Sequence, residues 1–198
     1  LHQAWPVPVN QISLLGHSMG GLVARSALWA ASTEGHSWAQ QVRHLVTLGT
    51  PHHGAPLERA GQWLHTALGA LPHTAPLASL ARLRSAGITD LRHGRVRDDD
   101  ATQQDRFAHT DDQRLPLPLP EGVSCYAVAA TLAGARSRAT ERLLGDGLVP
   151  LRSALGQHDD PLQQLAFEPD RQCVVYRTGH LGLLGSPAVT AQLLRWLG

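Results

Sequence analysis

A chain of 198 residues with 42% hydrophobic content is long enough for one sizeable core, and its formal net charge of +1 creates no strong field toward nucleic acid or an anionic membrane. All seventeen basic residues are arginine, which excludes a Walker A lysine, a Schiff-base lysine and a Ser-Lys dyad. No apolar run approaches the roughly 18 residues of a transmembrane helix.

The first element is Ile12-Ser13-Leu14-Leu15, a short apolar run suited to a buried strand. It leads into Gly16-His17-Ser18-Met19-Gly20-Gly21, which fits G-x-S-x-G, a sharp strand-to-helix turn that holds a serine hydroxyl exposed above a sheet. Such a turn strains the serine backbone. Side chains two residues to either side, at Gly16 and Gly20, are expected to collide with neighbouring backbone. Leu22, Val23, Ala27 and Ala30 then recur at helical spacing, and His17 reads as a packing residue of the turn.

A polar connection, Glu34 to Gln41, precedes a second strand over Val42 to Leu48. Gly49-Thr50-Pro51-His52-His53-Gly54-Ala55-Pro56 stops it and builds a tight loop. No strand pattern follows until Pro120. Leu57 to Leu71 and Leu77 to Leu83 have helical spacing, Arg92 to Asp100 is a charged run, and Leu115 to Pro120 alternates Leu and Pro as an extended linker. A gap this long reads as an inserted, mainly helical lid over 57–120. Val123 to Ala130 is the third strand, with Val123, Cys125, Ala127 and Ala129 alternating against Tyr126 and Val128. Cys173 to Tyr176 is the fourth. Ser186 as N-cap and Pro187 at the first position then open a helix with Val189, Leu193, Trp196 and Leu197 on one face. Alternation of strand and helix periods outside the insertion predicts an α/β fold with a parallel sheet. Cys125 and Cys173 both lie in strand-like runs and read as two thiols acting as small hydrophobes rather than a disulfide.

A serine hydroxyl needs an adjacent base to attack at neutral pH, usually a histidine held in the right tautomer by a carboxylate. On this type of sheet the order is Ser, then Asp or Glu, then His, each in a loop at the C-terminal edge. Ser18 follows the first strand, Asp146 lies after the third within Gly145-Asp146-Gly147, and His180 follows the fourth. Those three are the candidate catalytic residues, with the Met19 backbone N–H as an oxyanion donor. Asp159, Asp160 and Asp170 are fallback acids, and an Asp-Gly turn that caps its own backbone is the competing reading of Asp146. Adjacent His52 and His53 point apart in extended chain and have no ligand-spaced partner, so they read as loop structure rather than a metal site. Arg92 and His93 are candidate contacts within the insertion.

The elbow, Leu48-Gly49-Thr50-Pro51-His52-His53-Gly54-Ala55-Pro56, Gly145-Asp146-Gly147-Leu148-Val149-Pro150 and His180-Leu181-Gly182-Leu183-Leu184 resemble bacterial α/β-hydrolases of the lipase and GPI inositol-deacylase-like type, as does Ile88-Thr89-Asp90-Leu91-Arg92-His93-Gly94. The resemblance implies hydrolysis of carboxylic esters or lipids without a cofactor or metal, with Ser18 as nucleophile, Asp146 as acid and His180 as base. In that fold the elbow follows the fifth strand, yet only about seventeen residues precede Ser18, the chain opens at Leu1 and its single methionine is Met19. The chain therefore reads as a single incomplete α/β-hydrolase domain over 1–198, lacking its N-terminal strands and the loop that carries the second oxyanion donor. Its elbow strand is expected to be an apolar edge that lowers solubility. Three alternatives stay open: a thioesterase, an acyltransferase with the same triad, and a silent hydrolase-like piece with a binding or scaffold role. The expected partner is a small-molecule ester or lipid and not nucleic acid, with the insertion as a candidate membrane-surface contact.

Overall fold

The computed structural model describes residues 5–54, 117–135 and 145–198. Nearly all of the predicted lid, including its helical stretches and Arg92 and His93, lies outside the described residues. So does the boundary of the 57–120 insertion on its N-terminal side.

Four strands form one sheet in the order β1 (Ile12–His17), β2 (Val42–Leu48), β3 (Ser124–Thr131) and β4 (Gln172–Tyr176), and every neighbouring pair is parallel. Helix α1 (Met19–Thr33) joins β1 to β2; a single helical turn α2 (Leu151–Ala154) lies between β3 and β4; α3 (Pro187–Leu197) follows β4. The expected α/β class with a parallel sheet is what forms, and each strand agrees with its sequence run to within two residues at either end. All four strands run the same way, so the loops that follow them gather at one edge.

The central strands β2 and β3 are buried on both faces over most of their length, as in other parallel sheets. Alternate residues serve two cores. Leu45, Cys125, Ala127 and Ala129 face a cluster that includes Leu28 of α1 and Ala154 of α2. Val46, Leu48, Tyr126, Val128 and Ala130 face the opposite cluster, which includes Leu183, from the turn after His180, and Val189 of α3. Among the described residues β1 stands at one end of the sheet with β2 as its neighbour, and on one of its faces Leu15 is 56% exposed.

The helical stripes differ from the sequence reading. On α1 the buried residues are Gly21, Leu22, Arg25, Leu28 and Ala31, while Val23 is 59% exposed. The true stripe advances by three from Leu22 through an arginine, so a charge at its centre conceals it. On α3, Ser186 is the N-cap and Pro187 the first residue, as expected, but the Ser186 side chain makes no cap hydrogen bond, and Leu197 is exposed rather than part of the inner face. Both cysteines are free thiols. Burial pushes the Cys125 thiol up to about 11, as suits a small core hydrophobe.

Leu45 is wholly buried at the centre of the α1-side cluster. Leu45→Ala is expected to destabilise the fold by about 2–5 kcal/mol, read as a fall in the chemical denaturation midpoint. A change under about 1 kcal/mol would mean that this cluster is not the core.

Candidate active site

Ser18 follows β1 directly and has φ 54° and ψ −128°, a conformation that L-residues other than glycine rarely hold. Strain of this kind costs about 1–3 kcal/mol and persists only where neighbours over-determine it. Here the Ser18 N–H donates to Leu48 O at 2.8 Å, and its carbonyl accepts from Gly21 N–H at 3.1 Å. Met19 is the first residue of α1, so its N–H has no intrahelical acceptor and lies at the positive end of a 15-residue helix.

The glycines of the turn divide differently from expectation. A Cβ on Gly16 would lie 2.5 Å from Gly21 N, as the motif requires, but one on Gly20 would meet nothing within 4 Å. The crowded position is Gly21, where a Cβ would overlap the Thr50 side chain. Gly20 lies on the outward side of α1, whereas Gly21 faces the loop after β2. Nor is the serine exposed: Ser18, Asp146 and His180 are each 3% accessible.

The acid and the base meet. His180 Nδ1–H donates to Asp146 Oδ2 at 2.7 Å within a buried pair. An ionised carboxylate only accepts, so the ring proton resides on Nδ1 and Nε2 carries a lone pair. Nε2 is buried and has no hydrogen-bond partner among the described residues. Asp146 also caps its own turn, because its Oδ1 accepts from the Leu148 and Val149 N–H groups at 3.0 and 2.8 Å. A further bond runs from His180 N–H to Asp146 O at 3.1 Å. Two of the fallback acids are engaged elsewhere, Asp159 with Arg152 and Asp160 as acceptor from Leu162 N–H at 2.9 Å, and Asp170 precedes the start of β4, at the opposite edge of the sheet from His180.

Two residues contribute more than their motifs announce. Gly49, at φ 55°, lets the loop after β2 lie against the pair; a Cβ there would stand 3.1 Å from Asp146 Oδ2 and 3.3 Å from His180 Cε1. His17 is more than packing, since its ring lies 4.7 Å from that of His180 and its Nε2–H donates to the His180 carbonyl at 3.1 Å. Burial and the neighbouring His180 both hold His17 below the ordinary histidine range.

His52 and His53 form loop structure, as their spacing implies. His52 accepts at Nδ1 from Arg25 (3.3 Å) and, with its proton on Nε2, donates to Thr47 Oγ1 at 3.3 Å. Thr47 in turn donates to Tyr126 O at 3.1 Å. Among the described residues no group of three His, Cys, Asp or Glu side chains could hold a metal, and no helix is long and apolar enough to cross a membrane.

Residues 3–117 match the family described as "PGAP1-like alpha/beta domain". A GPI inositol-deacylase of Emericella nidulans is 39% identical over 57 residues, which make up 29% of this chain and 5% of that protein. EstA from Clostridium botulinum superposes with a TM-score of 0.50 at 14% identity, covering 95% of this chain and 64% of that one. The mature lipase BlEst2 of Bacillus licheniformis gives 0.49 at 18% identity, covering 95% and 66%. The chain thus spans less than two thirds of the length of EstA and a small part of the deacylase.

Two expectations follow from this geometry. Gly16→Ala is expected to cost about 1–3 kcal/mol because backbone must move, while Gly20→Ala stays within about 0.5 kcal/mol; equal thermal shifts for the two would refute this account of the turn. His52, wholly buried, is held well below its ordinary value of 6.5 by burial first, then by the Arg25 and His53 charges. The folded state therefore refuses a proton that the unfolded chain accepts below about pH 6.5, and stability falls as pH drops through that point. Melting curves from pH 7 to 5 should show that decline, and His52→Gln, which keeps an acceptor and a donor, should flatten it.

Proposed function

We propose that this chain, which belongs to the PGAP1-like alpha/beta family of lipase- and esterase-like α/β-hydrolases, is a serine hydrolase that cleaves carboxylic esters with an apolar acyl or alkyl part. The observation that carries the reading is the buried His180–Asp146 bond, with the His180 Nε2 lone pair uncommitted, on the same edge of the sheet as the strained Ser18 turn. Ser18 Oγ attacks the ester carbonyl carbon as His180 Nε2 takes its proton. Asp146 Oδ2 holds the ring in the correct tautomer and stabilises the imidazolium. The Met19 N–H, at the helix N-terminus, donates to the oxyanion. The imidazolium then protonates the leaving alkoxide. Water, deprotonated by the same nitrogen, attacks the acyl-Ser18 ester, and the acid departs as Ser18 regains its proton.

The preference for an apolar substrate rests on the rim. Leu132, at the end of β3, is 61% exposed and its methyl groups reach to within 3.4 and 3.5 Å of where Cβ atoms would stand on Gly147 and Gly179. Those glycines flank the acid and precede the base. Leu181, immediately after His180, is also exposed. Leucines kept at the surface beside the acid and base loops offer a hydrocarbon chain an apolar contact.

A fluorophosphonate probe mapped by peptide mass spectrometry should label Ser18 in the wild-type chain and not in Ser18→Ala. Asp146→Asn should keep the fold and lose on the order of a thousandfold or more in ester hydrolysis, because Asn favours the wrong imidazole tautomer. No label on Ser18, or full activity in Asp146→Asn, would overturn the reading.

A further inference from the structure

Arg25 is a buried arginine on the elbow helix that takes no part in the chemistry above. The two arms of its guanidinium serve two distant pieces of chain. Nη1 donates to His52 Nδ1, in the loop where the chain leaves β2, and Nη2 donates to the backbone carbonyl of Leu117, where the chain returns toward β3. More than sixty residues separate those two acceptors in sequence. The far side of His52 is anchored through Thr47 to the sheet. The same loop is tied again by Ser153 of α2, whose hydroxyl accepts from His53 N–H at 3.1 Å and donates to Gly54 O at 2.8 Å. Leu117, for its part, packs with Met19 against the buried Leu22. Its carbonyl is thus held by the helix, while its side chain packs on Leu22, the residue on which Met19 also packs.

We propose that Arg25 is a positioning residue that pins both ends of the long excursion between β2 and β3 to the elbow helix, and through Leu117 sets the apolar wall next to Met19. The planar fork matters. Arginine offers two rigidly spaced donors, whereas a lysine ammonium is a point charge on a flexible stem and cannot hold two acceptors at a fixed separation. A buried hydrogen bond from a charged group is also among the stronger ones a fold can place. Loss of the fork therefore frees residues 117–123 without touching the His180–Asp146 pair. The consequence for substrate rests on the serine-hydrolase reading; the tie itself does not.

The test uses the full chain with Arg25→Gln, Arg25→Lys and Leu117→Ala. Hydrogen exchange is followed by mass spectrometry in peptides covering 117–123, with β2 and β3 as internal controls. Arg25→Gln is expected to speed exchange over 117–123 by about tenfold or more while the strand amides keep their protection. Arg25→Lys should restore less than half of the lost protection. Hydrolysis of p-nitrophenyl butyrate and p-nitrophenyl decanoate should show a raised KM and a changed ratio between the two esters in Arg25→Gln. The rate of fluorophosphonate labelling at Ser18 should stay within about twofold of wild type. Leu117→Ala should shift the ester ratio in the same direction, and the double variant should add little to either change. Equal loss of protection in β2 and β3 would show general destabilisation and overturn the proposal. Unchanged exchange at 117–123, full rescue by lysine, or strict additivity with Leu117→Ala would overturn it as well. A wild-type chain that does not label at Ser18 defeats the hydrolase reading alone, because the exchange result still decides whether Arg25 ties the two ends.

Discussion

Two loops in this fold approach one another more closely than side chains would permit, and the rest of the site is built around that contact. The turn after β1 and the loop after β2 meet where Gly21 lies against Thr50, while Gly16 leaves room for the backbone of Gly20 and Gly21. On the other flank, Gly49 brings the same loop against Asp146 and His180. Hydrogen bonds of the Ser18 N–H to Leu48 O and of the Gly49 N–H to Val128 O hold the spacing from beneath. The positive φ of Ser18 is the cost of this arrangement, and the surrounding bonds are what sustain it.

Electrostatics in the site follow from burial. A carboxylate taken out of water needs partners, and Asp146 has three: two backbone N–H groups on one oxygen and the imidazole on the other. Its orientation is therefore decided by the chain and not by rotamer choice. His17 places a second imidazole beside the first without competing for Asp146, since its donor goes to a carbonyl. The same logic governs Arg25 and His52, where a neutral buried imidazole accepts from a guanidinium and passes a hydrogen bond on to the sheet.

What could be read from sequence was what local chemistry dictates. The four strands declared themselves by apolar runs, and Asp146 and His180 by their place after the third and fourth of them. What could not be read depends on partners far along the chain. The crowding at Gly21 comes from Thr50 and not from the turn itself, so glycine at position 20 seemed as constrained as glycine at 16. Arg25 sits at the centre of the buried stripe of α1, yet a charge in a helix reads as solvent-facing until His52 and Leu117 are known to lie opposite. Val23 reads as inward-facing for the same reason, as its apolar side chain fills the gap that the arginine leaves in the pattern. The role of His17 rests on a residue 163 positions away.

Sheet order also bears on how the site comes into being. β1 pairs with β2 across one helix, and β3 with β4 across a longer connection that includes the short turn α2. Ser18 and Met19 belong to the first pair; Asp146 and His180 belong to the second. Among the described residues the β2–β3 ladder, from His44↔Ser124 to Leu48↔Val128, is what joins the two along the sheet, and it closes the longest sequence gap between the four strands. Neither pair alone holds both Ser18 and the Asp146–His180 bond. The seam between them lies where the Leu48 and Val128 carbonyls hold Ser18 and Gly49, so Ser18, Asp146 and His180 come into register only when that ladder is complete to its last rung.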